Sequence, residues 1–177
     1  MTKSKYAPYY EVYAAEGGHC EFNIRSEEDF ELLNFAKNYV ENSNNIENLR
    51  SKGKIDRVSV ERIVAGPAVP LLYDFYRQKN PNLARPLEDQ YEFEALTSYN
   101  IINKAVEDGD ELCCLVVDKF IEMLAVEAGN LALKCLPFGG LYLIGGVTAG
   151  ISSYLIKKDK HFLNEFYKKG RLQPKVK

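Results

Sequence analysis

Polar and apolar positions along the chain mark out mostly helices, with few runs that alternate as a half-buried strand does. Tyr10 to Ala14 reads as a short strand running into a turn at Gly17-Gly18. Ser26 opens SEEDF, where Ser26 and Asp29 stand at capping-box spacing and three acids occupy the positive end of a helix. Phe30, Leu33, Lys37 and Val40 recur behind it at helical spacing and are expected to form its buried stripe. Arg57 to Val64 reads as a second capped helix, with Ser59 ahead of Glu61. Ala65-Gly66-Pro67 stops it, AVPLLYDFY starts the next, and KNPNLARPLED is a loop. The longest helical region runs from Phe93 to Leu136, with a break at Asp108-Gly109-Asp110. In its second half Glu111, Asp118, Glu122, Glu127, Asn130 and Lys134 fall on a narrow polar stripe, which predicts a helix buried on most faces.

Leu136 to Ile156 carries no charge, and its length would cross a bilayer. Pro137 and five glycines break that run, and apolar segments of this size bounded by glycine suit a buried strand better. Leu141 to Ile144 is therefore expected to be a central buried strand, with Gly145-Gly146 turning out of it and two short helices closing the chain. So few strands do not complete a domain, and the sheet that the long helix should cover lies elsewhere. The polar stretch 41–56, ENSNNIENLRSKGKID, reads as a surface loop.

Composition narrows the partners. A chain of 177 residues, 46% hydrophobic and 27% charged, is ordinary for one globular domain. Lys plus Arg number 23 against 25 acids, so there is no basic excess to neutralise a phosphate backbone, and nucleic acid is not an expected partner. Cys20, Cys113, Cys114 and Cys135 form no disulfide framework and suit reduced thiols in a cytoplasmic protein. No apolar signal segment opens the chain, and no membrane partner is expected.

Candidate chemistry centres on Glu16-Gly17-Gly18-His19. Two glycines let backbone approach a ligand closely and set a carboxylate and an imidazole on either side of one turn. A carboxylate accepts hydrogen bonds and an imidazole accepts and donates, which suits a polyhydroxyl ligand; a plain exposed turn is the alternative. Glu61, at the start of its segment, either supports that helix end or joins such a site. Gly139-Gly140 and Gly145-Gly146 are plain turns or a phosphate approach, and neither a GxGxxG nor a Walker lysine accompanies them. His19, His161 and the scattered cysteines offer no metal spacing, and Cys20 beside His19 is poorly placed as a nucleophile.

EGGHCEF at 16–22, VSVERIVAGPAVPLLY at 58–73, EAGNLALKCLPFGGLYLIGGV at 127–147 and EFYKKGRL at 165–172 together resemble the bacterial-type glucokinase family. The resemblance implies an α/β, ribonuclease-H-like (actin-like ATPase) larger domain with an added helical part. It also implies ATP-dependent phosphorylation of glucose at the 6-hydroxyl, with Mg²⁺ on the nucleotide. By motif, Glu16, His19 and Glu61 would contact sugar hydroxyls, and Gly145 and Gly146 would lie near the nucleotide. The absence of a CxCGxxGC zinc motif separates the chain from repressor-type sugar kinases.

The departures are specific. The family's opening DxGGT-like segment, its catalytic aspartate and the Gly-rich loop before EGGH have no counterpart here, nor do its last strand and helix. VTAG stands where the family has a proline after the Gly-Gly turn, and 41–56 is an insertion by the same comparison. Residues 1–177 are thus expected to form one partial domain, incomplete at both ends, whose general base lies N-terminal to it. Two functions stay open: a glucokinase segment, or a non-catalytic remnant that binds a sugar or a partner protein. A homodimer is left open as well.

Overall fold

The computed structural model describes residues 2–3, 10–11, 13–42, 57–83 and 97–170. These are mostly helical. Thr2–Lys3 (β1) pairs antiparallel with Tyr10–Glu11 (β2), Thr2 opposite Glu11 and Lys3 opposite Tyr10. Single 3₁₀ turns follow at Gly17–His19, Val60–Arg62 and Pro81–Leu83. The α-helices are α1 (Glu27–Asn42), α2 (Ala68–Lys79), α3 (Ser98–Asn103), α4 (Glu111–Cys135), α5 (Gly146–Gly150), α6 (Ser152–Lys157) and α7 (Asp159–Tyr167). Of the expected strand at Tyr10 to Ala14, Tyr10 and Glu11 are strand and 13–14 are not. The loop expected at 41–56 lies outside the described residues beyond Asn42, which still belongs to α1.

The start of α1 follows from its capping box. Asp29 N–H donates to Ser26 Oγ at 3.1 Å, and the Asp29 carboxylate turns back to accept the Arg25 N–H at 3.0 Å. The buried face differs from the expected stripe. Asp29, Leu32 and Ala36 are buried, with Leu33, Phe35 and Tyr39 beside them, whereas Phe30 is 53% exposed. The face is set by what α1 packs on: Phe35 lies with its ring centroid 5.5 Å from that of Phe75 in α2.

Arg57 to Val64 is not a regular helix. Ser59 instead makes an antiparallel bridge with Glu21, and only Val60–Arg62 winds into a 3₁₀ turn. The backbone of this segment is spent on another segment, which leaves too few local bonds for an α-helix. Pro67 precedes α2 and Pro70 sits in its first turn, where a missing N–H costs nothing. Asn80 closes the helix, its amide side chain donating to the Tyr76 carbonyl at 2.9 Å.

The break at Asp108-Gly109-Asp110 is present. A π-turn, Lys104–Asp108, continues α3, Gly109 takes the left-handed conformation at φ 68°, and Asp110 caps α4 by accepting from Cys113 N–H at 2.8 Å. Helix α4 is buried on most of its surface and is flanked by α2 and α7. Gly129 is where α7 crosses it: a Cβ there would stand 2.6 Å from the Phe166 carbonyl oxygen. Just beyond, Lys169 Nζ donates to the Asn130 side chain at 3.0 Å and to the Val126 carbonyl at 3.2 Å.

Lys119, an apolar-face position of α4, is buried together with Asp29. Its ammonium lies 2.7 Å from Asp29 Oδ1, 3.3 Å from Glu28 and 3.4 Å from Glu122. Arg25 joins them, paired with Glu122, with Glu165 of α7 at 2.8 Å and with Asp29 at 3.7 Å. Burial pulls the Lys119 ammonium down, but the surrounding carboxylates outweigh it and its pKa is raised.

The expected central strand at Leu141 to Ile144 is absent. This segment has no regular structure, Tyr142 is 80% and Ile144 87% exposed, and Leu141 and Leu143 are only partly covered. A strand needs neighbours for its peptide groups, and no described backbone group bonds to this stretch. Nor does one helix run through 138–156, and no helix among the described residues is long and apolar enough to cross a membrane. Three short helices, rather than two, follow the segment.

Replacing Lys119 by Met removes the nearer of the two cations paired with the buried Asp29 carboxylate and leaves Arg25 at 3.7 Å. The expected cost is ~3–5 kcal/mol in urea unfolding, with most of it recovered in Lys119→Met/Asp29→Leu. Three of the groups with shifted values bear on the two ends of the pH profile. Glu165, held by Arg25 against the opposing effect of burial, lies below the ordinary glutamate range; its contribution is present above about pH 4.3 and is lost as pH falls through the lowered pKa. Lys119 is raised, and burial with the Asp74 carboxylate pushes Tyr39 up to about 12. Their contributions are full below about pH 10 and are lost as pH rises through the raised values. Urea midpoints are therefore expected to be flat near neutrality and to fall in acid and above pH 10; a steady rise through pH 11 would contradict this.

Candidate functional site

Two chain segments that are distant in sequence are clamped together by main-chain bonds. Phe22 N–H donates to the Val58 carbonyl at 2.9 Å and Val60 N–H to the Cys20 carbonyl at 2.8 Å. Phe22, Val58, Val60 and Ile63 bury their side chains on the core side, so the clamp is fixed from beneath. On the outer side it sets the Gly17–His19 turn against the Val60–Arg62 turn. The first turn closes on itself through His19 N–H to the Glu16 carbonyl, 3.0 Å, and Cys20 N–H to the Gly17 carbonyl, 3.1 Å.

His19 consequently stands between two carboxylates. Its Nε2 is 3.6 Å from Glu16 Oε2 and its Nδ1 is 3.9 Å from Glu61 Oε2. All three side chains are more than half exposed, so the cluster faces solvent with acceptor oxygens and a ring nitrogen available to a ligand. Glu16, His19 and Glu61, separated by up to 45 positions, are thus brought together.

Two contributors escaped the sequence reading. A Cβ on Gly18 would stand 3.3 Å from Glu61 Cβ and 3.5 Å from Oε2, so the glycine makes room for the carboxylate. Arg57 Nη1 donates to the His19 carbonyl at 2.7 Å and ties the turn to the segment carrying Glu61. Its place directly before VSVER was the available signal, but the bond joins residues 38 apart and has no local signature.

Gly145 and Gly146 occupy a separate element. Gly145 has φ 119° and ψ 167°, a conformation that essentially only glycine adopts, and Gly146 begins α5. A Cβ at either would meet nothing within 4 Å, so the backbone there is open. Val147 links the element to the chain just after the Glu61 segment, because its Cγ2 would lie 3.4 Å from a Cβ at Gly66. No group of three or more His, Cys, Asp or Glu suited to a metal ion occurs among the described residues.

The fold has a solved counterpart. A crystal structure of a glucokinase from an Antarctic psychrotroph superposes with a TM-score of 0.66 at 23% identity, covering 94% of this chain and 44% of that one. The described architecture is therefore that of part of that glucokinase's fold. The glucokinase of Nostoc sp. (strain PCC 7120) is 35% identical over 176 residues, covering 93% of this chain and 47% of that protein. The glucokinase of Synechocystis sp. (strain PCC 6803) is 32% identical over 175 residues, covering 93% and 45%. The model of the glucokinase family matches residues 3–177, and the chain belongs to that family. It spans about half the length of the curated relatives it matches.

Gly18→Ala tests the packing of the cluster. Glu61 Cβ, 3.3 Å away, must give by a few tenths of an ångström, so thermal stability should change by less than ~1 kcal/mol. The nuclear magnetic resonance signals of the His19 ring and the Glu61 amide should nevertheless move. Unchanged signals would mean that Gly18 is not what admits Glu61.

Proposed function

We propose that the chain carries the sugar-binding part of an ATP-dependent glucokinase acting in the cytoplasm. The observation that carries this reading is the solvent-facing meeting of Glu16, His19 and Glu61 in a member of the glucokinase family. In this reading the two carboxylates accept hydrogen bonds from glucose hydroxyls. His19, between them, accepts or donates a further one, so the sugar is oriented by a polar cradle. The 6-hydroxyl oxygen attacks the γ-phosphorus of ATP, ADP leaves, and the hydroxyl proton passes to a base. That base is expected from the aspartate of the family's small domain, because Glu16 and Glu61 are committed to other hydroxyls.

Gly145 and Gly146 belong to the nucleotide side of the same proposal. Their open backbone fits close approach of phosphate oxygens, and Mg²⁺ would arrive with the nucleotide to neutralise phosphate charge. Residues 1–177 then form one partial unit of the family's α/β, ribonuclease-H-like larger domain, chiefly its added helical part.

Glucose titrated calorimetrically into the 177-residue chain should bind weakly, and Glu61→Gln should weaken it by ~1–3 kcal/mol through loss of a charge-assisted bond. A coupled assay on the same chain with ATP, Mg²⁺ and glucose should show no turnover above a no-enzyme control. Turnover abolished by Glu61→Gln would show that the base lies within these residues. Glucose affinity indifferent to Glu16, His19 and Glu61 substitutions would remove the sugar-site assignment.

A further inference from the structure

Main-chain pairing between the two site segments stops short of the turn that carries Glu16 and His19. Phe22 N–H donates to the Val58 carbonyl and Val60 N–H to the Cys20 carbonyl, on either side of the Glu21–Ser59 bridge. Beyond Cys20 and Ser59 both segments wind into 3₁₀ turns, Gly17–His19 and Val60–Arg62, whose peptide groups bond within their own turns. The last carbonyl of such a turn has no partner inside it. Arg57, two residues before the bridge, supplies one for His19. Its Nη1 donates to the His19 carbonyl at 2.7 Å, the short distance of a charge-assisted bond. Arg57 is exposed, and among the described residues it makes no ion pair with Glu16 or Glu61, whose pairs are with His19. It holds backbone and leaves both acceptors to a ligand.

We infer that Arg57 is a positioning residue of the glucose site, acting through the His19 carbonyl, and that it sets sugar affinity without carrying fold stability. This rests on the sugar-site reading of Glu16, His19 and Glu61. The His19 ring lies 3.6 Å from Glu16 Oε2 and 3.9 Å from Glu61 Oε2, both beyond hydrogen-bond length, so the carboxylates do not themselves hold it. Its placement follows from the backbone. A carbonyl bonded from the 57–61 segment fixes the peptide plane after His19, and with it the turn that presents Glu16 and His19 to Glu61. Without that bond a bound sugar must order the turn itself, at the expense of affinity. The fold does not need the bond, because Phe22, Val58, Val60 and Ile63 hold the same two segments from the core side. One guanidinium N–H makes the contact, so the ammonium of a lysine can replace it, unlike at a bidentate site.

The test titrates glucose into the 177-residue chain and into Arg57→Ala, Arg57→Lys, His19→Gln and Glu61→Gln. Binding is followed by the nuclear magnetic resonance signals of the Gly18 and residue-61 amides, and each variant's melting temperature is measured. Arg57→Ala should weaken glucose about fivefold or more, and Arg57→Lys should stay within about twofold of the original chain. In the sugar-free Arg57→Ala chain the His19 ring signals should move while the Val58 and Ile63 methyl signals and the melting temperature stay in place. If His19→Gln and Glu61→Gln weaken glucose and Arg57→Ala does not, this inference falls and the sugar site stands. If glucose fails to bind, or binds regardless of His19 and Glu61, the sugar-site reading falls and takes the inference with it. A melting temperature lowered by Arg57→Ala, or an Arg57→Lys chain as weak as Arg57→Ala, also overturns it.

Discussion

A buried ammonium among carboxylates holds the helices of this chain in place. Lys119 of α4 meets Asp29 of α1 in a region closed to water, and Arg25 extends the cluster to Glu122 and to Glu165 of α7. Charges out of water are tolerated only when paired and hydrogen-bonded, so each member restricts where the others can be. Helix α2 reaches the same cluster through Lys79, which lies 2.6 Å from Glu31 and 3.7 Å from Glu28. Apolar packing alone would permit α1 to slide or rotate on α4. The ion cluster, with Gly129 admitting α7 to near backbone contact, selects one arrangement.

The candidate sugar site draws on that rigidity indirectly. Arg25 and Asp29 fix the chain as it enters α1, only a few residues after the Gly17–His19 turn. Between them, Phe22 is pinned to Val58, so the turn and the Glu61 segment are held on a common base. A closed turn, a glycine that leaves space and an arginine bonded to a carbonyl hold the backbone that carries the three side chains. An exposed cluster on a preorganised support is what a ligand rich in hydroxyl groups requires.

Much of the local structure was legible in the residues. The Ser26–Asp29 box, the start of α2 at Ala68 and the break at Asp108–Asp110 each depend on bonds or conformations within a few positions, and the chain carries all the information needed for them. The meeting of Glu16, His19 and Glu61 was legible in a different way, through resemblance to a family, because no local pattern joins positions so far apart.

Tertiary structure decided the rest. Helical spacing pointed to a stripe through Phe30 and Leu33 on α1, and the partner helices buried the face with Asp29, Leu32 and Ala36 instead. Lys119 carries no local signal of its role, because its counter-charge, Asp29, is 90 positions away. Arg57 to Val64 had the makings of a helix, but bonding to Cys20 and Phe22 took its backbone first. Leu141 to Ile144 has the composition and period of a strand, and those properties are its own. Whether it becomes one depends on peptide groups of another strand, because sequence sets which conformations a segment favours and only neighbours in space can satisfy its hydrogen bonds.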